Sequence, residues 1–187
     1  MAGKVWSLAP IARADAVARA RRSTQHGTVY KLGAGGMSPT ASTPGAECDC
    51  SGALAYWLGV SRFVRQWNPR WPFGEWLESS AIVRDAWSAL GEFELVTRSD
   101  ANRRAEPVRA SEGWPLCRPG DVLAWGDSGR KQGHVGLVSR VDYAGRVLSV
   151  VHCSKGNERK LGDAIAETSP DVFIVNNALA IRCGWLR

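Results

Sequence analysis

One cysteine and two histidines in this chain have types and spacing suited to nucleophilic chemistry. Cys50 stands in Asp49-Cys50-Ser51-Gly52, where the Gly- and Pro-rich residues 33–46 run into Ala53-Leu54-Ala55-Tyr56-Trp57-Leu58. That second stretch has helical composition and stops at Gly59, a residue suited to end a helix. Asp49 is a good N-cap type, which puts Cys50 in the first helical turn. Unpaired N–H groups and the positive end of the helix dipole favour a thiolate there, so a lowered thiol pKa is expected. Cys50, Leu54, Trp57 and Leu58 follow the i, i+4, i+7, i+8 spacing and share the inward face. An inert buried cysteine fits the same position, since cysteine is among the most buried residue types.

The histidines come from the second half, where the pattern turns to β after Cys117. Arg118-Pro119-Gly120-Asp121 reads as a turn before the short apolar strand Val122-Leu123-Ala124-Trp125. Two longer strand runs, residues 134–141 and 146–152, flank the turn Asp142-Tyr143-Ala144-Gly145. A hairpin centred near residues 143–144 sets His134 and His152 opposite each other or nearly so. Side chains so paired have Cβ atoms roughly 4.5–5.5 Å apart on one face. The chain has only three histidines. In a thiol enzyme one imidazole takes the proton from sulfur and a polar group orients that ring. Either histidine alone reads as a structural residue; together with Cys50 they read as a base and its partner.

Several elements must position these groups. Residues 10–22 form an expected helix with Ile11, Ala14, Val17 and Ala18 as its apolar stripe. Thr28-Val29-Tyr30-Lys31-Leu32 is a short extended candidate leading into Gly33-Ala34-Gly35-Gly36. No Lys-Ser/Thr pair or helix follows that glycine run, so it is a poor phosphate loop. Close passage against the Cys50 helix or a ligand explains it better. Residues 74–90 are an expected helix, and the neighbouring Trp67, Trp71, Trp76 and Trp87 are assigned to packing before a sugar-binding groove. The polar residues 97–112 read as a surface insertion, and residues 171–175 and 178–182 as at least one further strand. Helices followed by antiparallel strands give an α+β class.

Composition narrows the setting. A chain of 187 residues with 44% hydrophobic content fits one domain over residues 1–187, burying ~70% of its unfolded surface, with residues 1–27 as a helical extension. No run approaches the roughly 18 apolar residues of a membrane span. The first residues lack the apolar core of a secretory signal, and five cysteines, an odd count, argue against a closed disulfide framework. Both point to synthesis in a reduced, cytoplasmic compartment. The net charge of +6 suits an anionic partner, but no basic block is dense enough to name one, and nucleic acid is not expected.

Taken together, Tyr30-Lys31-Leu32-Gly33, Asp49-Cys50-Ser51-Gly52, Arg118-Pro119-Gly120-Asp121-Val122-Leu123-Ala124-Trp125 and Gly133-His134-Val135-Gly136-Leu137-Val138 resemble the NlpC/P60 cysteine peptidases. These are papain-like enzymes that cut peptide bonds in bacterial cell-wall peptidoglycan. The resemblance covers residues 28–152 and implies a nucleophile helix packed on a small antiparallel sheet. It implies Cys50 as nucleophile, His134 as base and His152 as the third polar residue, with Tyr30, Asp49 and Ser51 at the substrate. No cofactor or metal is called for. The substrate implied is peptidoglycan stem peptide, reached by phage delivery, holin-assisted release or a secretion system, with an immunity or delivery partner in the last case. The pattern departs from the family at Cys48, in the long Trp-rich residues 61–116, and in lacking an export signal or wall-binding repeat. Two other readings stand beside it. One is a papain-like amidase or acyltransferase on another substrate, because such a triad does not specify the acyl group. The other is a zinc-stabilised binding module using Cys48, Cys50, His152 and Cys153.

Overall fold

The computed structural model describes residues 10–37, 47–88, 90–99 and 104–187. The opening residues 1–9, the Pro44-Gly45 end of the loop before Cys50, Ala89 and the 100–103 part of the polar run lie outside the described residues. In chain order the elements are α1 (Arg13–Arg22), β1 (Val29–Tyr30), β2 (Glu47–Cys48), α2 (Cys50–Leu58), α3 (Ser79–Ser88), β3 (Phe93–Leu95), β4 (Thr97–Ser99) and β5 (Ala105–Pro107). They continue with β6 (Val122–Trp125), β7 (His134–Val141), β8 (Val147–Cys153), α4 (Lys155–Leu161), β9 (Ile165–Thr168), α5 (Asp171–Val175) and β10 (Leu179–Cys183). The class is α+β. Six strands pair antiparallel in the order β3-β10-β6-β7-β8-β9, while β1–β2 and β4–β5 make two small separate pairs. No described helix is long and apolar enough to cross a membrane.

Two carboxylates tie α1 to this sheet. Asp121, fully buried before β6, accepts from Arg13 at 2.7 Å, from Arg182 of β10 at 2.9 Å and from the Arg118 N–H at 2.9 Å. Glu167 of β9 takes a two-pronged bond from Arg21 and accepts from Ser139 and Ser149; the Arg21 bond is the main reason its carboxyl falls to about 2. The buried face of α1 is Ala16, Val17 and Ala20, a quarter-turn from the expected stripe, with Ala14 exposed. Ile11 precedes the helix and bridges to Leu186 instead.

Two other expectations are corrected by where backbone hydrogen bonds go. Residues 74–78 are irregular, bridging to Phe63 only at Trp76: Val64 N–H bonds Glu75 O and Leu77 N–H bonds Arg62 O, so α3 begins only at Ser79. Residues 171–175 are a helical turn, because Pro170 O accepts from the N–H groups of Phe173 and Ile174. Only Phe173 is buried there, so the β-branched run needed no partner strand. Residues 97–99 and 105–107 pair antiparallel as β4 and β5, with β4 exposed, but Val108 and Ala110 turn into the core around Trp114. Trp57, Trp67 and Trp71 are core residues, as expected, and Trp114 is buried as well; the packing expected of Trp76 and Trp87 is corrected, since Trp87 is 59% exposed and Trp76 36%.

Helix α2 is buried almost throughout and packs on β7 and β8. Asp49 caps it through the Gly52 N–H at 2.8 Å, and Gly59 closes it in the left-handed region at φ 70°. Gly52 faces the glycine run: a Cβ there would collide with the Ala34 carbonyl and meet the Gly35 backbone at 3.0 Å. The run therefore lies directly on α2, which is one of the two purposes its composition implied. Gly52→Ala should cost about 1–3 kcal/mol by overpacking. Gly156→Ala in α4, where only Ser154 Oγ lies within 4 Å, should be neutral or stabilising. Urea denaturation of the two variants checks this, and equal midpoints would show that the loop yields freely.

Candidate active site

Cys50 occupies the first turn of α2 and lines a cavity of about 380 Å³ with Asp49, Ser51, Arg62, Trp76 and Gln132. Its sulfur sits against β7, where the Val135 N–H and the Ser51 N–H both favour a thiolate. They are outweighed. Burial first, and the Asp49 carboxylate second, push the thiol up to about 12. The lowered pKa expected from the helix terminus is therefore corrected: the first-turn dipole acts on a thiol that is 5% exposed.

His134 begins β7 and His152 lies near the end of β8; both are buried. The hairpin is centred at Ala144, with Leu137 opposite Val151 and Val138 opposite Val150. Asp142 Oδ1 fixes that turn by accepting from the N–H groups of Ala144 and Arg146. Continued towards the open end, this register puts Gly136, not His134, opposite His152. A shift of whole pairs keeps the face, because side chains alternate with a period of two. The rings meet diagonally over Gly136, where a Cβ would lie 2.7 Å from Phe173 and 3.0 Å from His152 Cβ. His134 Nε2 is 2.9 Å from His152 Nδ1. Burial and the neighbouring His152 push His134 down to about 3, and burial pushes His152 down to about 4. At neutral pH the resting site is a thiol beside two neutral imidazoles.

Tyr30 lines a second cavity of about 270 Å³ with Trp125, His134, His152, Lys155 and Val172. Its hydroxyl is 3.5 Å from Gln132 Nε2, and Gln132 and Gly133 border both cavities. Burial, then the charges of Cys50 and Asp49, raise its phenol pKa. Asp49 and Ser51 line the larger cavity, but their bonds serve the fold. Asp49 Oδ1 accepts from Gly52 N–H and Ser51 Oγ, and Oδ2 from Gly33 N–H and Arg62, both at 2.7 Å. That leaves Asp49 no spare acceptor for substrate.

Three participants were missed in the sequence. Arg62, 5% exposed, neutralises Asp49, bonds Ser51 Oγ and the Ala34 carbonyl, and lies over Trp76 at 5.1 Å. A buried Asp49 required such a cation, but nothing local marked which. Phe173 stacks on His134 at 5.5 Å and meets His152 edge-on at 5.4 Å. Thr168 Oγ1 lies 3.0 Å from His152 Nε2. Cys48 and Cys153 are buried behind the nucleophile, with Cys153 Sγ donating to the Cys48 carbonyl at 3.4 Å. Among the described residues no group of three or more His, Cys, Asp or Glu side chains is arranged to hold a metal ion, so the zinc reading has no ligand set there.

No protein-family model and no curated protein matches the chain.

The raised thiol pKa sets the pH dependence of labelling. A thiol near 12 is protonated at neutral pH, and its reactive thiolate grows about tenfold per pH unit below that value. Iodoacetamide should label Cys50 before the other four cysteines, with a rate climbing steadily from pH 6 to 9. Peptide mapping across that range checks it; a rate already flat between pH 6 and 8 would mean a preformed thiolate.

Proposed function

We propose that this chain is a papain-like thiol hydrolase of NlpC/P60 type that cleaves amide bonds in peptidoglycan stem peptides. One observation carries the reading: Cys50, capped in place by Asp49, packs against β7 at the Val135 N–H, next in the chain to His134, whose Nε2 is bonded to His152 Nδ1 at 2.9 Å. His134 Nδ1 takes the Cys50 proton as sulfur attacks the amide carbonyl carbon. The oxyanion then faces the Cys50 backbone N–H, the first-turn donor of α2 taken by neither Asp49 nor the sulfur, and the Tyr30 hydroxyl. His134 returns its proton to the leaving amine, and water hydrolyses the thioester with His134 again as base. Cavities on both sides of the Gln132–Tyr30 contact suit a substrate lying across the nucleophile. The stem-peptide substrate, delivery to the wall by a phage or a secretion system, and an immunity or delivery partner rest on the motif resemblance.

Purified peptidoglycan digested with the protein should release peptides whose masses identify the bond. Cys50→Ala and His134→Ala should abolish release, and His152→Asn should retain part of it, since asparagine still offers an acceptor to His134. Undigested peptidoglycan alongside turnover of simple amide or ester substrates would favour the amidase or acyltransferase reading.

Tyr30→Phe isolates the oxyanion contribution. Loss of one such donor typically costs about 10²–10³ in turnover. A slowed reaction with unchanged thermal stability is expected, and an unchanged rate would leave Tyr30 as a packing residue.

A further inference from the structure

We propose that Thr168 is the positioning residue that sets the direction of the whole imidazole chain. In its activity aspect this rests on the hydrolase reading above. Thr168 ends β9, where it pairs with Val150, two residues from His152 on β8 and so on the same face. Its Oγ1 lies 3.0 Å from His152 Nε2 and 2.9 Å from the carbonyl oxygen of Ser169.

A carbonyl oxygen only accepts, and a hydroxyl has one hydrogen to give. Thr168 therefore donates to Ser169 O and offers a lone pair to His152. That requires the His152 hydrogen on Nε2, which leaves Nδ1 of the neutral ring as an acceptor. The 2.9 Å contact with His134 is then satisfied only if His134 Nε2 carries the hydrogen. His134 Nδ1 is left unprotonated, the state a base for Cys50 needs. The sequence of donors runs from His134 through His152 and Thr168 to a backbone carbonyl that cannot reverse. His134 and His152 are too buried to be turned by water, and Phe173 packs on both rings. Once His134 becomes imidazolium, its Nε2–H donates along the same line, so the chain also stabilises the charged form.

Thr168→Val keeps the shape and removes the oxygen; Thr168→Ala removes it with less volume; Thr168→Ser keeps it. The readout independent of activity is the ¹⁵N spectrum of histidine-labelled protein, in which two-bond couplings distinguish Nδ1–H from Nε2–H rings. Wild-type protein should show Nε2–H at both His134 and His152, and Thr168→Ser should preserve this. Thr168→Val and Thr168→Ala should move His152 to Nδ1–H or a mixture, with His134 following. Turnover in both should fall about 10–100-fold, as for other partners that orient a histidine, with KM unchanged. Nδ1–H at His134 in the wild type, or both rings keeping Nε2–H in Thr168→Val, would overturn the proposal. So would a Thr168→Ser loss as large as that of Thr168→Val, which would assign the effect to methyl packing. A wild type inactive on peptidoglycan but with the expected spectra would sink the substrate reading and leave this inference standing.

Discussion

The structure around Cys50 depends on a single buried carboxylate. Asp49 is 1% exposed, and its two oxygens receive donors from the glycine run, the α2 backbone, Ser51 and Arg62. These bonds join three pieces of chain, so the loop at residues 33–36, the helix start and the segment after α2 are fixed relative to one another. Breaking a buried charge pair strands its partner and typically costs about 3–5 kcal/mol, so the arrangement stands or falls as a unit. Arg62 adds reach: it bonds the Ala34 carbonyl and lies over Trp76, coupling the wall of the larger cavity to the cap of the nucleophile helix.

What was legible in the sequence was local or periodic. Asp49 and Gly59 bound α2 because capping depends on a few adjacent residues. The shared face of His134 and His152 survived a misplaced register, because a shift by a whole pair leaves the alternation intact. The features that were missed are set by tertiary partners. Residues 74–78 spend their backbone bonds on residues 62–64 rather than on a first helical turn. Phe173 reads as part of a β-branched strand until Pro170 is seen to close a turn beneath it. Thr168 meets His152 only because β9 pairs with β8, a relation no residue spacing within the functional motifs contains.

The sign of the Cys50 shift has the same origin. A helix terminus favours the thiolate through dipoles acting over one turn, and that contribution was readable from Asp49 onward. The opposing contribution, desolvation, depends on what covers the sulfur, including β7, which is remote in sequence. Burial acts on the histidines in the same sense, holding them neutral. A standing thiolate–imidazolium pair is therefore disfavoured at rest, so under the proposed hydrolase reading proton transfer to His134 belongs to the attack itself. Around the buried sulfur and rings fixed dipoles act with little screening by solvent. The Val135 and Ser51 N–H groups, too weak to ionise the resting thiol, would under the hydrolase reading stabilise negative charge as it develops on the sulfur during proton transfer. The burial that opposes a resting thiolate thus strengthens the groups that would stabilise charge in the transition state.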